Sequence, residues 1–311
     1  MDNGTRLGHN GPKGTYDIGL SSHKSIFEIL LDNIKQVSNE YKVKIPWYIM
    51  TSKENNIETI NFFEKNNYFD YGKENITFFT QGELPMVNER GKILLDEHKK
   101  IKKAADGHGG IFYSMRDNNI IDDMKAKNIK WVFISGVDNI LAKLVDSVLL
   151  GLAIDNKVQA AGKSVKKACP EEKVGIFCSK NGRPGVVEYT EISDEMSKQK
   201  DMQGELKFGE SHILCNLFNI DVIENVSKDK LPYHSAYKKA NYINENCELV
   251  VSDKPNAYKF EAFLFDAFAD IDKMAIMRVK REEEFAPVKN NVGEDSPETA
   301  KKLYEKYNNI K

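Results

Sequence analysis

Apolar residues recur along the chain in two alternating rhythms. Between Ser25 and Glu40, Ile26, Ile29, Leu30, Ile34 and Val37 stand at helical spacing with Lys and Asp between them, which predicts an amphipathic helix. Ile45-Pro46-Trp47-Tyr48-Ile49-Met50-Thr51 reads as a buried strand with a proline at its start. Thr51-Ser52-Lys53-Glu54 has the form of a capping box opening a helix to about Lys65, and Ile76–Phe79 is a second short strand. Strand, helix and strand so close together form the parallel βαβ pattern, in which ligands gather at the carboxyl ends of the strands. The alternation continues with a helix from Ile111 to about Lys127. A continuous apolar strand over Trp131–Gly136 follows, expected at the centre of the sheet, and then a helix from Ile140 to Leu150. Strand-like runs cover Val158–Val165, Val174–Cys178, Gly185–Thr190 and His212–Asn219, and Ser296-Pro297 caps a charged helix running to Lys311. The expected class is α/β.

Two stretches break the rhythm. Gly4, Gly8, Gly11, Gly14 and Gly19 crowd the first twenty residues, where neither a helix nor a core strand tolerates them. Such a stretch lets backbone N–H groups approach a ligand, and Arg6 and Lys13 add two cations, which together suit a polyphosphate. The alternative is a solvated, flexible terminus. A P-loop is excluded, because no glycine directly precedes Lys13 and no Ser or Thr follows it. The second stretch, Asp106-Gly107-His108-Gly109-Gly110, opens a helix and again offers backbone amides to a ligand.

Several polar residues stand where ligands gather. Gln81 follows a strand, and its amide matches the O and N–H edge of uracil; otherwise it is an ordinary loop residue. Asp138 follows the Trp131–Gly136 strand, so it is either a ligand for a phosphate-bridging divalent cation or the N-cap of the Ile140–Leu150 helix. Glu188 stands in a strand-like run, where an exposed carboxylate is the plain reading. Phe263 and Phe265 share one face at period two, which core packing accounts for.

Composition narrows the partners. Lys plus Arg (45) nearly balances Asp plus Glu (47) in 311 residues, so no global field draws the chain to nucleic acid or to an anionic membrane. No apolar run approaches the roughly 20 residues that span a bilayer, and no signal peptide opens the chain. The four cysteines (Cys169, Cys178, Cys215, Cys247) show neither a C-x-x-C pair nor zinc spacing, and a reducing, cytoplasmic setting is expected.

Seven segments carry a resemblance, in order. They are Gly4-Thr5-Arg6-Leu7-Gly8 with Pro12-Lys13-Gly14, the F-F-x-Q-G-x-x-P run from Phe78 to Pro85, the D-G-x-G-G turn at Asp106–Gly110 and Val137-Asp138-Asn139. The remaining three are Val186–Glu191, Pro255–Asp266 and Arg281–Asn290. Together they resemble the eukaryotic-type UDP-sugar pyrophosphorylases, and most of all the UDP-N-acetylglucosamine pyrophosphorylase branch.

The resemblance implies a Rossmann-like nucleotidyltransferase fold, a mixed sheet with helices on both faces. A catalytic domain would span 1–290 and a helical tail 291–311. The family loop normally follows an apolar strand and a Gly-Gly pair, so a chain beginning Met1-Asp2-Asn3 is expected to lack the first strand, and to end before any C-terminal domain. The implied activity joins UTP and a sugar 1-phosphate into UDP-sugar, UDP-N-acetylglucosamine foremost, and pyrophosphate.

The resemblance also implies roles. Gly4, Thr5, Arg6 and Lys13 would hold the nucleotide phosphates, Gln81, Gly107, Gly109 and Gly110 the uridine, and Asp138 a Mg²⁺. Gly175, Glu188, His212, Phe263 and Phe265 would form the sugar pocket, and Lys289 would bind the attacking phosphate. His212 stands where the family usually has asparagine, and His108 occupies a variable position with no implied catalytic role. A sugar-nucleotide-binding homologue without catalysis is the alternative. A dinucleotide-dependent oxidoreductase lacks the G-x-G-x-x-G turn it would need.

Overall fold

A computed structural model describes residues 4–244 and 246–310. The helix predicted after the glycine loop is α1 (Ile26–Tyr41), capped by the Ser25 hydroxyl, which accepts from the Glu28 N–H at 3.2 Å. It is followed by β1 (Trp47–Thr51), α2 (Asn56–Lys65) and β2 (Ile76–Thr80), and β1 and β2 pair in parallel with Trp47 opposite Ile76. The βαβ unit is therefore present. The expected capping box is not: Ser52 and Asn55 instead hydrogen-bond each other's backbone N–H groups with their side chains, a closed turn that delays α2 to Asn56.

The apolar run after Gly110 is not one helix but two, α3 (Ile111–Asp117) and α4 (Ile120–Ala126), broken where Asn119 takes a left-handed conformation (φ 57°). Next come β3 (Trp131–Ser135), α5 (Ser147–Asp155), β4 (Ala160–Lys166), β5 (Ile176–Lys180), β6 (Arg183–Val187), β7 (Glu210–Asn219), α6 (Ile220–Val226) and β8 (Ala275–Val279). The helix expected over Ile140–Leu150 begins only at Ser147. Asp146, not Asp138, caps it, its carboxylate accepting from the Val148 and Leu149 N–H groups. The last helix, α7 (Pro297–Tyr307), starts at the Ser296 cap as expected and buries Ala300 against the α1 side of the core; Lys311 lies outside the described residues.

Strands β8, β4, β7, β5 and β6 lie in that order in a six-stranded mixed sheet, with β3 pairing antiparallel to β7. Helices cover both faces. One core gathers Phe27, Leu30, Leu31 and Ile34 of α1 with Phe63, Ile213 and Val165; the other gathers Phe112, Met115, Ile121 and Met124 of α3 and α4 with Phe218 and Ile223. The fold is thus the expected α/β Rossmann-like arrangement.

In one respect β3 departs from expectation. It is not flanked on both sides: among the described residues its only strand partner is β7, and β1 has only β2. Between β1 and β3 lies a cavity of about 640 Å³, walled by both strands along their length, by Phe27, Leu30 and Ile34 from one face and by Met115 and Met124 from the other. No described strand fills it. Met1–Asn3, on which the expectation of an absent first strand falls, lie outside the described residues. Among the described residues no helix is long and apolar enough to cross a membrane.

Candidate active site

The glycine-rich start is an ordered loop. Gly4 N–H donates to Gly11 O at 2.9 Å and His9 N–H to Gly4 O at 3.1 Å, while the Thr15 hydroxyl bonds both the His9 ring (2.8 Å) and Pro12 O (2.8 Å). Gly14 is pressed on α1, and a methyl group there would come within 2.3 Å of the Phe27 ring. The closure at Gly4 leaves Thr5 and Arg6 exposed, whereas Lys13 is buried. Arg6, Lys13, His108 and Asp138 all line the cavity described above.

Asp138 sits in the turn after β3. Among the described residues its carboxylate has no hydrogen bond or ion pair, and its backbone is held by a second segment. Val288 N–H donates to Asp138 O (2.9 Å), Ile140 N–H to Ala286 O (3.3 Å) and Ala286 N–H to the Asn139 carbonyl oxygen Oδ1 (2.9 Å). The Asn139 Nδ2 donates to Glu284 O (2.8 Å). The sequence places these segments 150 residues apart in no obvious relation; the fold zips them together. Lys289, next along, stands 3.4 Å from Asp295.

The aromatic wall is assembled from three elements. In β7 the pairing register with β4 shifts between His212 and Asn216, with Leu214 at φ 48°, and this bulge brings the His212 and Asn216 side chains within 3.1–3.2 Å. His212 meets Phe177, Phe265 and Phe268 edge-on at 5.0–6.0 Å between ring centroids. Phe263 and Phe265 do lie together, at 5.2 Å, but at the start of a 3₁₀ turn (Leu264–Asp270), with Phe263 as the extended residue before it, instead of on the strand that period-two spacing implied. Gly175 O accepts from His212 N–H (2.8 Å), and a methyl group on Gly175 would lie 3.3 Å from the Glu188 carboxylate. Burial, and then the neighbouring Glu191, raise the Glu188 carboxyl above its usual range, while the charges of His234 and Lys289 pull it down. Burial holds both the His108 and the His212 imidazoles down to about 4, so both rings are neutral near pH 7.

The second glycine turn docks on the same wall. Gly107 has φ 87°, and a methyl group there would fall 2.4 Å from Ala262 O, so only glycine fits. Gly109 N–H donates to Ala262 O (2.8 Å), and the His108 Nδ1 accepts from Leu264 N–H (3.0 Å). Gln81 is tied to this turn through Asp106, whose carboxylate accepts from the Gln81 amide at 3.3 Å.

The structure thus joins Gln81, Gly107, Gly109, Gly110, Phe263, Phe265, His212, Gly175 and Glu188 through direct neighbours, and Asp138 to the Lys289 segment through backbone bonds. Three features escaped the sequence reading. Asp106 behind Gln81 was visible only as the start of a glycine motif. His234, paired with Asp266 at 2.9 Å and stacked on Phe263 at 4.4 Å, had no signal at all. Lys163 did have one, a lysine that follows Ala160, Ala161 and Gly162 in the middle of a strand. It is fully buried between Asp146 (2.6 Å) and Glu284 (2.5 Å).

Comparison with known proteins gives a consistent picture. The profile of the UTP–glucose-1-phosphate uridylyltransferase family matches residues 2–294. The chain is 38% identical, over 97% of its length, to UDP-N-acetylglucosamine pyrophosphorylase of Saccharomyces cerevisiae. It is 37% identical, over 96%, to UDP-N-acetylhexosamine pyrophosphorylase-like protein 1 of Homo sapiens. It spans 66% and 61% of those two proteins, less than two thirds of each. Its fold is similar to the crystal structure of the uridine diphosphate N-acetylglucosamine pyrophosphorylase of Trypanosoma brucei in complex with inhibitor. There the TM-score is 0.85 and the identity 32%, covering 97% of this chain and 63% of that one.

Proposed function

The chain belongs to the UTP–glucose-1-phosphate uridylyltransferase family, and from that premise we propose that it joins UTP to a sugar 1-phosphate, N-acetylglucosamine 1-phosphate foremost, releasing UDP-sugar and pyrophosphate. The observation that carries this reading is the zipper between Asp138–Ile140 and Glu284–Val288, which brings a carboxylate with no hydrogen bond or ion pair among the described residues beside the segment ending in Lys289.

In this reading a sugar-phosphate oxygen attacks the α-phosphorus in line and pyrophosphate leaves, so no protein nucleophile is needed. The rate comes from positioning and from neutralising charge that shifts onto the leaving group. Lys289 holds the incoming phosphate. Arg6 and Lys13, with the backbone of Gly4 and Thr5, hold the β and γ phosphates. Gln81 and the Gly107–Gly110 turn read the base. Glu188, half-buried beside Gly175, takes vicinal sugar hydroxyls, and Phe263 and Phe265 pack the ring, with the neutral His212 offering a nitrogen to the sugar substituent. Asp138 fits a Mg²⁺, since that ion takes few protein carboxylates, and bound there it would neutralise phosphate charge. The free thiols of Cys169, Cys178, Cys215 and Cys247 accord with a reducing cytoplasm.

The test is release of pyrophosphate from UTP with N-acetylglucosamine 1-phosphate, N-acetylgalactosamine 1-phosphate and glucose 1-phosphate in parallel, with CTP and ATP as controls. Turnover confined to UTP supports the reading, and equal turnover with ATP overturns it. Tight UDP-sugar binding without turnover would favour the non-catalytic homologue.

A further inference from the structure

Lys163 contacts no candidate ligand group, yet it uses all three of its ammonium hydrogens. It donates to Lys143 O (3.2 Å), to Asp146 Oδ2 (2.6 Å) and to Glu284 Oε2 (2.5 Å), with no exposed side-chain surface. Two of these acceptors belong to the loop that follows Asp138, and Asp146 also caps α5. The third lies on the segment that leads to Lys289, and the backbone carbonyl of that same Glu284 accepts from Asn139. One rigid point in β4 therefore grips both chain segments that flank the proposed reacting phosphates. The alternative, that the triad exists for stability, is weak on its own terms, because a buried ion pair is often no more stabilising than apolar groups of the same size.

We propose that Lys163 is a positioning residue that sets the separation between the Asp138 carboxylate and the Lys289 ammonium, and through it the alignment of sugar phosphate and nucleotide. This rests on the uridylyltransferase reading above. A displacement of the order of 1 Å at a reacting group can cost about a hundredfold in rate, so loosening the clamp has a kinetic signature distinct from lost stability.

Two variants separate the two roles. Lys163→Met takes the ammonium partner from half-buried Asp146, which keeps its cap bonds to Val148 and Leu149, and leaves buried Glu284 only the more distant Lys143 at 3.8 Å; it melts lower and loses turnover. The triple variant Lys163→Met, Asp146→Asn, Glu284→Gln leaves no buried charge, so its melting temperature returns close to that of the wild type while the clamp stays absent. With the triple variant folded, we expect KM for the sugar 1-phosphate to rise about tenfold or more and kcat to fall by about the same factor, with UDP affinity unchanged within twofold. Adding Lys289→Ala to the triple variant should cost less than Lys289→Ala costs the wild type, because the lysine is already misplaced. Wild-type kinetics in the stable triple variant would overturn the proposal, as would full additivity with Lys289→Ala. If Lys163→Met does not fold, the triple variant alone decides. A wild-type protein with no uridylyltransferase activity would overturn the functional reading, and this proposal with it; wild-type activity together with an unaffected triple variant overturns this proposal alone.

Discussion

The two sides of the candidate site are built by different means. On the Asp138–Lys289 side, each segment is bonded to the other and anchored to a strand of the six-stranded sheet, so the groups are fixed before any ligand arrives. On the Gly4–Thr15 side, the loop closes mainly on itself, rests one glycine on Phe27, and borders the cavity between β1 and β3. A site needs fixed groups where charge develops and can accept a less anchored loop where a substrate must enter. The difference implies that changes on the first side act on rate and changes on the second act on stability and nucleotide affinity.

The largest expected effect is on the first side. Asp138→Ala should lower turnover by about a hundredfold to a thousandfold, as for removal of a preorganised charge-stabilising group, with an unchanged melting temperature, since the side chain caps nothing and pairs with nothing described. Near-normal Mg²⁺-dependent turnover would erase the contrast between the two sides.

The second side is tested by filling its cavity. Two strand edges without a described partner face a space lined by apolar side chains, which is the setting for strand addition. A chain carrying an added apolar pentapeptide strand ahead of its N-terminus should melt higher. Each buried Val or Leu contributes about 1.5–3 kcal/mol against roughly 1–2 kcal/mol of backbone ordering per residue, for a net gain of a few kcal/mol. UDP-sugar affinity should tighten as the loop gains an anchor. If melting and affinity are both unchanged, the cavity is not a strand slot and the loop is held by other means.

How much of this was legible beforehand depends on range. Local signals worked: the helix that follows Ser25, the Ser296 cap, the β1–α2–β2 unit and the strands β4, β5, β6 and β7 follow from period and capping chemistry within a few residues. Where a local signal misled, a neighbouring side chain had intervened, as with the Ser52–Asn55 turn before α2 or the left-handed Asn119 between α3 and α4. The site was legible as ordered motifs, which name groups and leave out their mutual support. Nothing in the spacing of Asn139 and Ala286, or of His234 and Asp266, announces their contact, because long-range pairing is set by the sheet order. Phe263 and Phe265 show the limit from the other direction: period two suggested a shared strand face, and a 3₁₀ turn brought the rings together by another route.

The smallest expected effect sharpens the comparison through pH. The aromatic wall and the glycine turn docked on it contain His212 and His108, each with its folded-state pKa held near 4 by burial, against an ordinary value near 6.5. Between those values the unfolded chain binds more protons than the folded one, so folding stability rises with pH across the window. The contribution is complete above about pH 6.5 and is lost as the pH falls toward 4, at no more than about 3 kcal/mol per ring. Asp106 and Glu188, whose carboxyls burial raises, work in the opposite direction, so the wild-type curve alone is a mixture. The difference between wild type and His212→Asn isolates the ring, because asparagine keeps a hydrogen-bonding partner for Asn216 and does not titrate. Urea midpoints at about pH 7.5 and about pH 5 should show wild type losing more stability on acidification than the variant, by up to about 2 kcal/mol, the share of that amount lost by pH 5. Equal losses would mean that His212 is solvated enough to take a proton in the folded state, and that the aromatic wall around it is as loosely held as the glycine loop.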